Sequence, residues 1–160
     1  METFIRRTPM PVPPDVLYDL HMAPGALEAL TPPWEPVEVL RMSGAPDEEG
    51  SRVELRVGRW PLRFRWVAEH RDVVPGRQFR DEQVKGPFRR WIHTHRFLPA
   101  PGGTSVLEDR IEYALPGGRL GRWLFGWLVR RRLRRLFDFR HTVTAAALGG
   151  RHPRVLERSA

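Results

Sequence analysis

Apolar positions recur along this chain with two different periods. Between residues 37 and 115 they recur every second residue. Val53, Leu55 and Val57 alternate with Arg52, Glu54 and Arg56, and Leu62, Phe64 and Trp66 alternate with Arg63 and Arg65. Trp91, His93, His95 and Phe97 share one parity, as do Leu107, Asp109, Ile111, Tyr113 and Leu115. A period of two predicts strands with one buried face. Residues 2–8, 37–41 and 78–85 complete the predicted strand set. Residues 45–50 (APDEEG), Val74-Pro75-Gly76-Arg77, Gly86-Pro87 and Pro99 to Gly103 separate the runs. Short turns at this spacing predict an antiparallel meander.

The second period is helical. Pro13 and Pro14 suit a first helical turn, and Val16, Leu17 and Leu20 carry a short helix to Met22. Pro24-Gly25 breaks it, and residues 26–30 predict another, stopped by Pro32-Pro33. After Pro116-Gly117-Gly118, residues 119–147 hold no proline and predict one helix about 43 Å long at 1.5 Å per residue. Leu133, Leu136, Phe137, Arg140 and Val143 would face the sheet. Residues 123–129 are apolar all round, more than one buried face needs. Trp123 and Trp127 are therefore expected under the small helices or at a homodimer contact, with a membrane-interface role as the alternative. The layout is α+β, with one domain over 1–148 and a C-terminal tail over 149–160.

Composition narrows the classes. At 160 residues the chain suits one domain. It has no cysteine, which excludes a disulfide framework, a thiolate metal site and a cysteine nucleophile. The N-terminus lacks a signal-peptide apolar core, and the stretch 123–129 is far short of the roughly 20 residues a bilayer requires. A cytoplasmic protein is expected. The net charge is +8, and residues 119–147 carry eight arginines against the single acid Asp138. That basic face predicts weak, salt-sensitive contact with anionic membranes. Nucleic acid is not an expected partner, because no alternating basic–aromatic platform is present.

The local sequence resembles the START/birch-allergen-like (SRPBCC) superfamily, in the bacterial ligand-binding branch related to polyketide cyclase/dehydrase and coenzyme-Q-binding proteins. Leu27 to Trp34 (LEALTPPW), residues 81–97 (DEQVKGPFRRWIHTHRF), residues 102–118 (GGTSVLEDRIEYALPGG) and Phe137 to His141 (FDFRH) carry the likeness in order. The resemblance implies a helix-grip fold: a seven-stranded antiparallel sheet curled around a long C-terminal helix, with two short helices between strands 1 and 2. It also implies a cavity between sheet and helix that takes a lipid, polyketide or quinone-like molecule.

Strand parity gives the candidate residues. If Trp91 and Phe97 face the cavity, His93 and His95 do too; Asp109 shares a face with Tyr113, and Asp81 and Gln83 with Phe79. An aromatic wall with a few fixed polar groups is the usual make-up of a small-molecule site. The expected ligand contacts are Trp66, Gln83, Trp91, His93, His95, Phe97, Asp109, Tyr113, Leu124 and Leu128. Three roles stay open for the polar set: mutual satisfaction in a buried network, orientation of a polar head group, or acid–base chemistry of cyclase/dehydratase type using His93 or His95 with Asp109 or Asp81. His93-Thr94-His95 with Asp109 as third ligand also suits a metal, but the spacing alone is weak, and neither a metal nor a cofactor is expected. Binding without catalysis is the favoured reading.

Overall fold

The computed structural model describes residues 1–149; the expected tail lies almost wholly outside the described residues. Strand β1 (Glu2–Met10) leads into helices α1 (Pro14–Met22) and α2 (Ala26–Ala29). Six strands follow: β2 (Val37–Ser43), β3 (Arg52–Val57), β4 (Phe64–Val74), β5 (Gln78–Lys85), β6 (Arg90–Ala100) and β7 (Thr104–Ala114). Helix α3 (Gly118–Ala147) ends the described chain. The sheet order is β1-β7-β6-β5-β4-β3-β2, antiparallel throughout. β2 to β7 form the expected meander, and β1 crosses over to pair with β7. This is the helix-grip fold.

Alternation sets what each face does. On the inner face, Phe79, Phe97 and Leu107 join Met10, Leu17, Tyr18 and Ala145 in one apolar cluster. Phe4, Ile111, Tyr113, Leu133 and Phe137 form a second. The outer face buries two carboxylates under arginines. Glu108 accepts from Arg7 on β1 and Arg96 on β6, while Glu69 pairs with Arg52 on β3 and Arg71 on β4. Arginine's planar fork suits such sites better than lysine would.

Two local expectations need correcting. Leu62 is not in β4; it is 81% exposed in the loop after a cis Trp60–Pro61 bond, and the strand begins at Phe64. Trp123 and Trp127 do not pack under the small helices either. They are 76% and 63% exposed, because α3 lies against β1 and β7 and these rings fall outside that contact. Among the described residues, no helix is long and apolar enough to cross a membrane.

Candidate functional site

Cross-strand register brings the polar groups together. His70 on β4 stands opposite Asp81 on β5, and Asp81 opposite His93 on β6. One step along, Phe79 stands opposite His95, and His95 opposite Asp109 on β7. These are two adjacent rows on the inner face. His141 from α3 and His21 from α1 close over them. Every histidine among the described residues therefore lies in or beside this layer.

Asp109 is the hub. Its Oδ1 is 2.7 Å from His93 Nε2 and 2.8 Å from His95 Nδ1, and its Oδ2 is 2.7 Å from His141 Nε2. The His95 contact is close but not aligned for a hydrogen bond. His141 Nδ1 lies 2.7 Å from the Thr8 hydroxyl. Because Asp109 can only accept, His141 donates to it from Nε2. Asp81 forms a second centre: Oδ1 is 2.9 Å from His70 Nε2, and Oδ2 is 3.3 Å from His95 Nε2 and 3.9 Å from His93 Nδ1. His70 Nδ1 is tied to the Pro46 carbonyl at 2.6 Å.

The charges follow from this wiring. Burial opposes ionisation of both aspartates, but the histidines outweigh it and hold both carboxyls well below their ordinary range. Burial also opposes a charged His95, yet the Asp109 charge and its contacts with both carboxylates push it up to about 9. Burial and the neighbouring His95 charge lower His93 to about 4, and the same two causes lower His21 to about 4. His93 is thus neutral: Nε2–H donates to Asp109 and Nδ1 keeps a lone pair. His95 is additionally stacked on Phe79, with ring centroids 4.2 Å apart.

Two adjacent cavities flank this layer as lobes on either side of a waist. One lobe, about 340 Å³, is bounded by His21, Met22, Leu30, Met42, His70, Phe79 and His95. The other, about 250 Å³, is bounded by Phe64, Trp66, Phe88, Trp91, His93, Leu133 and Phe137. Leu27, Val53, Asp81 and Arg140 border both. Trp66 meets Trp91 edge to face at 5.2 Å, and Phe88 lies 4.7 Å from Trp91. Arg140 makes one hydrogen bond, to the Leu30 carbonyl at 3.2 Å, and burial lowers its pKa. No carboxylate among the described residues lies within ion-pair distance of it.

Trp66, Trp91, His93, His95 and Asp81 thus reach the cavity. Phe97 and Tyr113 do not: both are buried in the apolar clusters behind it. Asp109 also lies behind the wall, holding the histidines that form it. Gln83 closes the β5–β6 turn instead, donating to the Phe88 carbonyl at 2.8 Å and accepting from the Phe88 N–H. Leu124 and Leu128, expected in the wall, are 44% and 49% exposed on α3. His21, His70 and His141 were not foreseen as site residues. Helical spacing carries the signal for two of them: His141 lies four residues after Phe137, and His21 four after Leu17. His70 shares the parity of Trp66 and Ala68.

The profile of the family described as polyketide cyclase / dehydrase and lipid transport matches residues 10–139. The chain belongs to this family. No curated protein matches the sequence significantly. Among solved structures, the Thermus thermophilus protein TTHA0849 is 24% identical, with a TM-score of 0.65, over 91% of this chain and 99% of its own. A nucleoside-diphosphate sugar epimerase from Corynebacterium glutamicum is 22% identical with a TM-score of 0.67; 91% of this chain is covered, but only 29% of the epimerase. A START superfamily protein from Mycobacterium smegmatis is 9% identical, with a TM-score of 0.65, over 92% of this chain and 97% of its own. At these identities the likeness is one of fold. Family and fold together make this member a ligand-binding domain of the START/birch-allergen-like superfamily.

Proposed function

We propose that the protein binds an amphipathic small molecule of lipid, polyketide or quinone type, its apolar body in the aromatic lobe and its polar end at the waist. The observation that carries this reading is Arg140. A guanidinium with one carbonyl partner, set between an aromatic lobe and a histidine lobe, suits an anionic or carbonyl end group. Binding needs no rearrangement of Asp109, which lies behind the wall. Native mass spectrometry of protein purified from its own host, followed by extraction, tests this directly. An apolar molecule with an oxygen-rich end is expected. Trp91→Ala and Arg140→Met should weaken binding of a fluorescent fatty acid, while the exposed Asp19→Ala should not. Equal affinities in all three would refute the reading.

One observation favours a second reading, acid–base catalysis of cyclase/dehydratase type in the same cavity. His93 keeps a lone pair and His95 carries a proton, side by side at 3.8 Å between ring centroids. A base and an acid so placed suit proton transfer between two atoms of one substrate. Turnover of an extracted ligand by wild type, lost in both His93→Gln and His95→Gln, would favour catalysis over binding alone.

The exposed start of α3 supports a means of loading. Leu120, Trp123, Phe125 and Trp127 are exposed beside Arg119 and Arg122, a pattern suited to an anionic lipid surface. Sedimentation with anionic vesicles at low and high salt tests it.

A further inference from the structure

We propose that Asp81, His93 and His95 form a site for a divalent transition-metal ion, of which zinc is the best fit, on the cavity side of the histidine layer. This goes beyond the small-molecule reading and does not depend on it.

The geometry is the first argument. One ligand atom from each of the three residues lies within 4.8 Å of the others. Asp81 Oδ2 is 3.3 Å from His95 Nε2 and 3.9 Å from His93 Nδ1. Tetrahedral zinc with bonds of about 2.0–2.1 Å sets its ligand atoms about 3.3 Å apart. One edge of the triangle already has that length, a second is 3.9 Å and the third is bounded by 4.8 Å, so side-chain rotations must close two edges. Two imidazoles and one carboxylate leave a fourth position open, the arrangement of zinc sites that bind an exchangeable molecule. All three residues border the cavity, so that position faces the lobes.

The supporting shell is the second argument. A metal-bound histidine usually turns its other ring nitrogen to a carboxylate, which fixes the ring and raises its basicity. Here one carboxylate serves both rings. Asp109 Oδ1 takes the hydrogen bond of His93 Nε2 at 2.7 Å and lies 2.8 Å from His95 Nδ1. Asp109 is itself held by His141 at 2.7 Å, and His141 by Thr8. The third ligand is therefore Asp81, not the Asp109 that strand parity suggests. An ion would take the place of the proton that His95 Nε2 now shares with Asp81 Oδ2, that proton passing to solvent, and the Asp109 contacts of both rings would stay in place.

The test uses the full chain, stripped with a chelator and titrated with Zn²⁺ by calorimetry and with Co²⁺ by visible absorption. One equivalent is expected, with the ligand-field spectrum of four-coordinate cobalt. Asp81→Asn and His93→Gln should each weaken zinc by at least about 100-fold, and Asp109→Asn by about 10- to 100-fold without changing the stoichiometry. Asp19→Ala, at an exposed position on α1, should change nothing. Circular dichroism checks that each variant folds. Should Asp109→Asn fail to fold, the Asp81→Asn and His93→Gln pair decides alone. Zinc bound equally by wild type and Asp81→Asn, or no cobalt spectrum in wild type, would overturn the proposal. Binding of a fluorescent fatty acid to the stripped protein is measured in parallel, so loss of the metal site and loss of the ligand reading are told apart.

Discussion

Replacing Asp109 by Asn keeps the shape of the side chain and removes the charge that three imidazoles share. The carboxylate is 2% exposed and lies within 2.8 Å of His93, His95 and His141. An amide can accept at one atom only, and its NH₂ would face a ring N–H. Breaking a buried ion pair by removing one partner costs about 3–5 kcal/mol. Total stability for a domain is about 5–15 kcal/mol, so this is a large fraction. At about 2–4 °C per kcal/mol for a domain of this size, the melting temperature should fall by about 6–20 °C. The pH profile separates this cause from loss of packing. His95 is raised from 6.5 to about 9 in the fold, so its stabilisation is full below pH 6.5 and is lost as pH rises through 9. Asp109 is depressed, so its share is present above its ordinary pKa and is lost in acid. Wild type should therefore lose stability on both sides of a maximum. Asp109→Asn should flatten the decline between pH 6.5 and 9. Calorimetry across pH 4–10 makes the measurement. A variant that melts within 2 °C of wild type and keeps the same alkaline decline would show that Asp109 is not the hub.

Gly121→Ala would set a Cβ 1.9 Å from the Pro116 carbonyl, so urea unfolding should show a loss of more than about 2 kcal/mol; an unchanged midpoint would mean that the start of α3 is free to shift. Arg140→Met should weaken a fatty acid probe at least tenfold and its methyl ester much less, and equal losses would remove the guanidinium from head-group recognition. A Trp123→Ser/Trp127→Ser variant should keep its stability within about 0.5 kcal/mol, as exposed positions do, while losing vesicle sedimentation at low salt. A drop of several kcal/mol would show that these rings pack against something in solution.

The architecture could be read from the chain because the strands carry strict parity and the turns carry Gly and Pro. Each of Trp91, His93 and His95 reaches the inner face because alternation leaves no other choice. What parity does not carry is depth. Phe97, Asp109 and Tyr113 have the parity of wall residues, but α1 and α3 press on their ends of β6 and β7 and bury them. Gln83 has the right parity as well, and the tight turn after β5 claims its amide first. Leu124 and Leu128 fall on an apolar stretch of helix, yet apolar character all round the helix does not say which side meets the sheet. His141 is the opposite case. Its partner Asp109 is 32 residues away, and only the closure of α3 onto β7 brings them together.

The Gln83 clamp bears on how this protein can be chemically labelled. Lys85 is the only lysine in the chain, so its amine is the one side-chain amine that acylating reagents can meet. It sits exposed at the end of β5, two residues from the amide that holds Phe88, and Phe88 borders the aromatic lobe. A dye attached there stands at the rim of the cavity without touching the histidine layer. Its emission would report the turn tightening or opening as a guest enters, in a chain whose abundant arginines leave amine chemistry almost nowhere else to go.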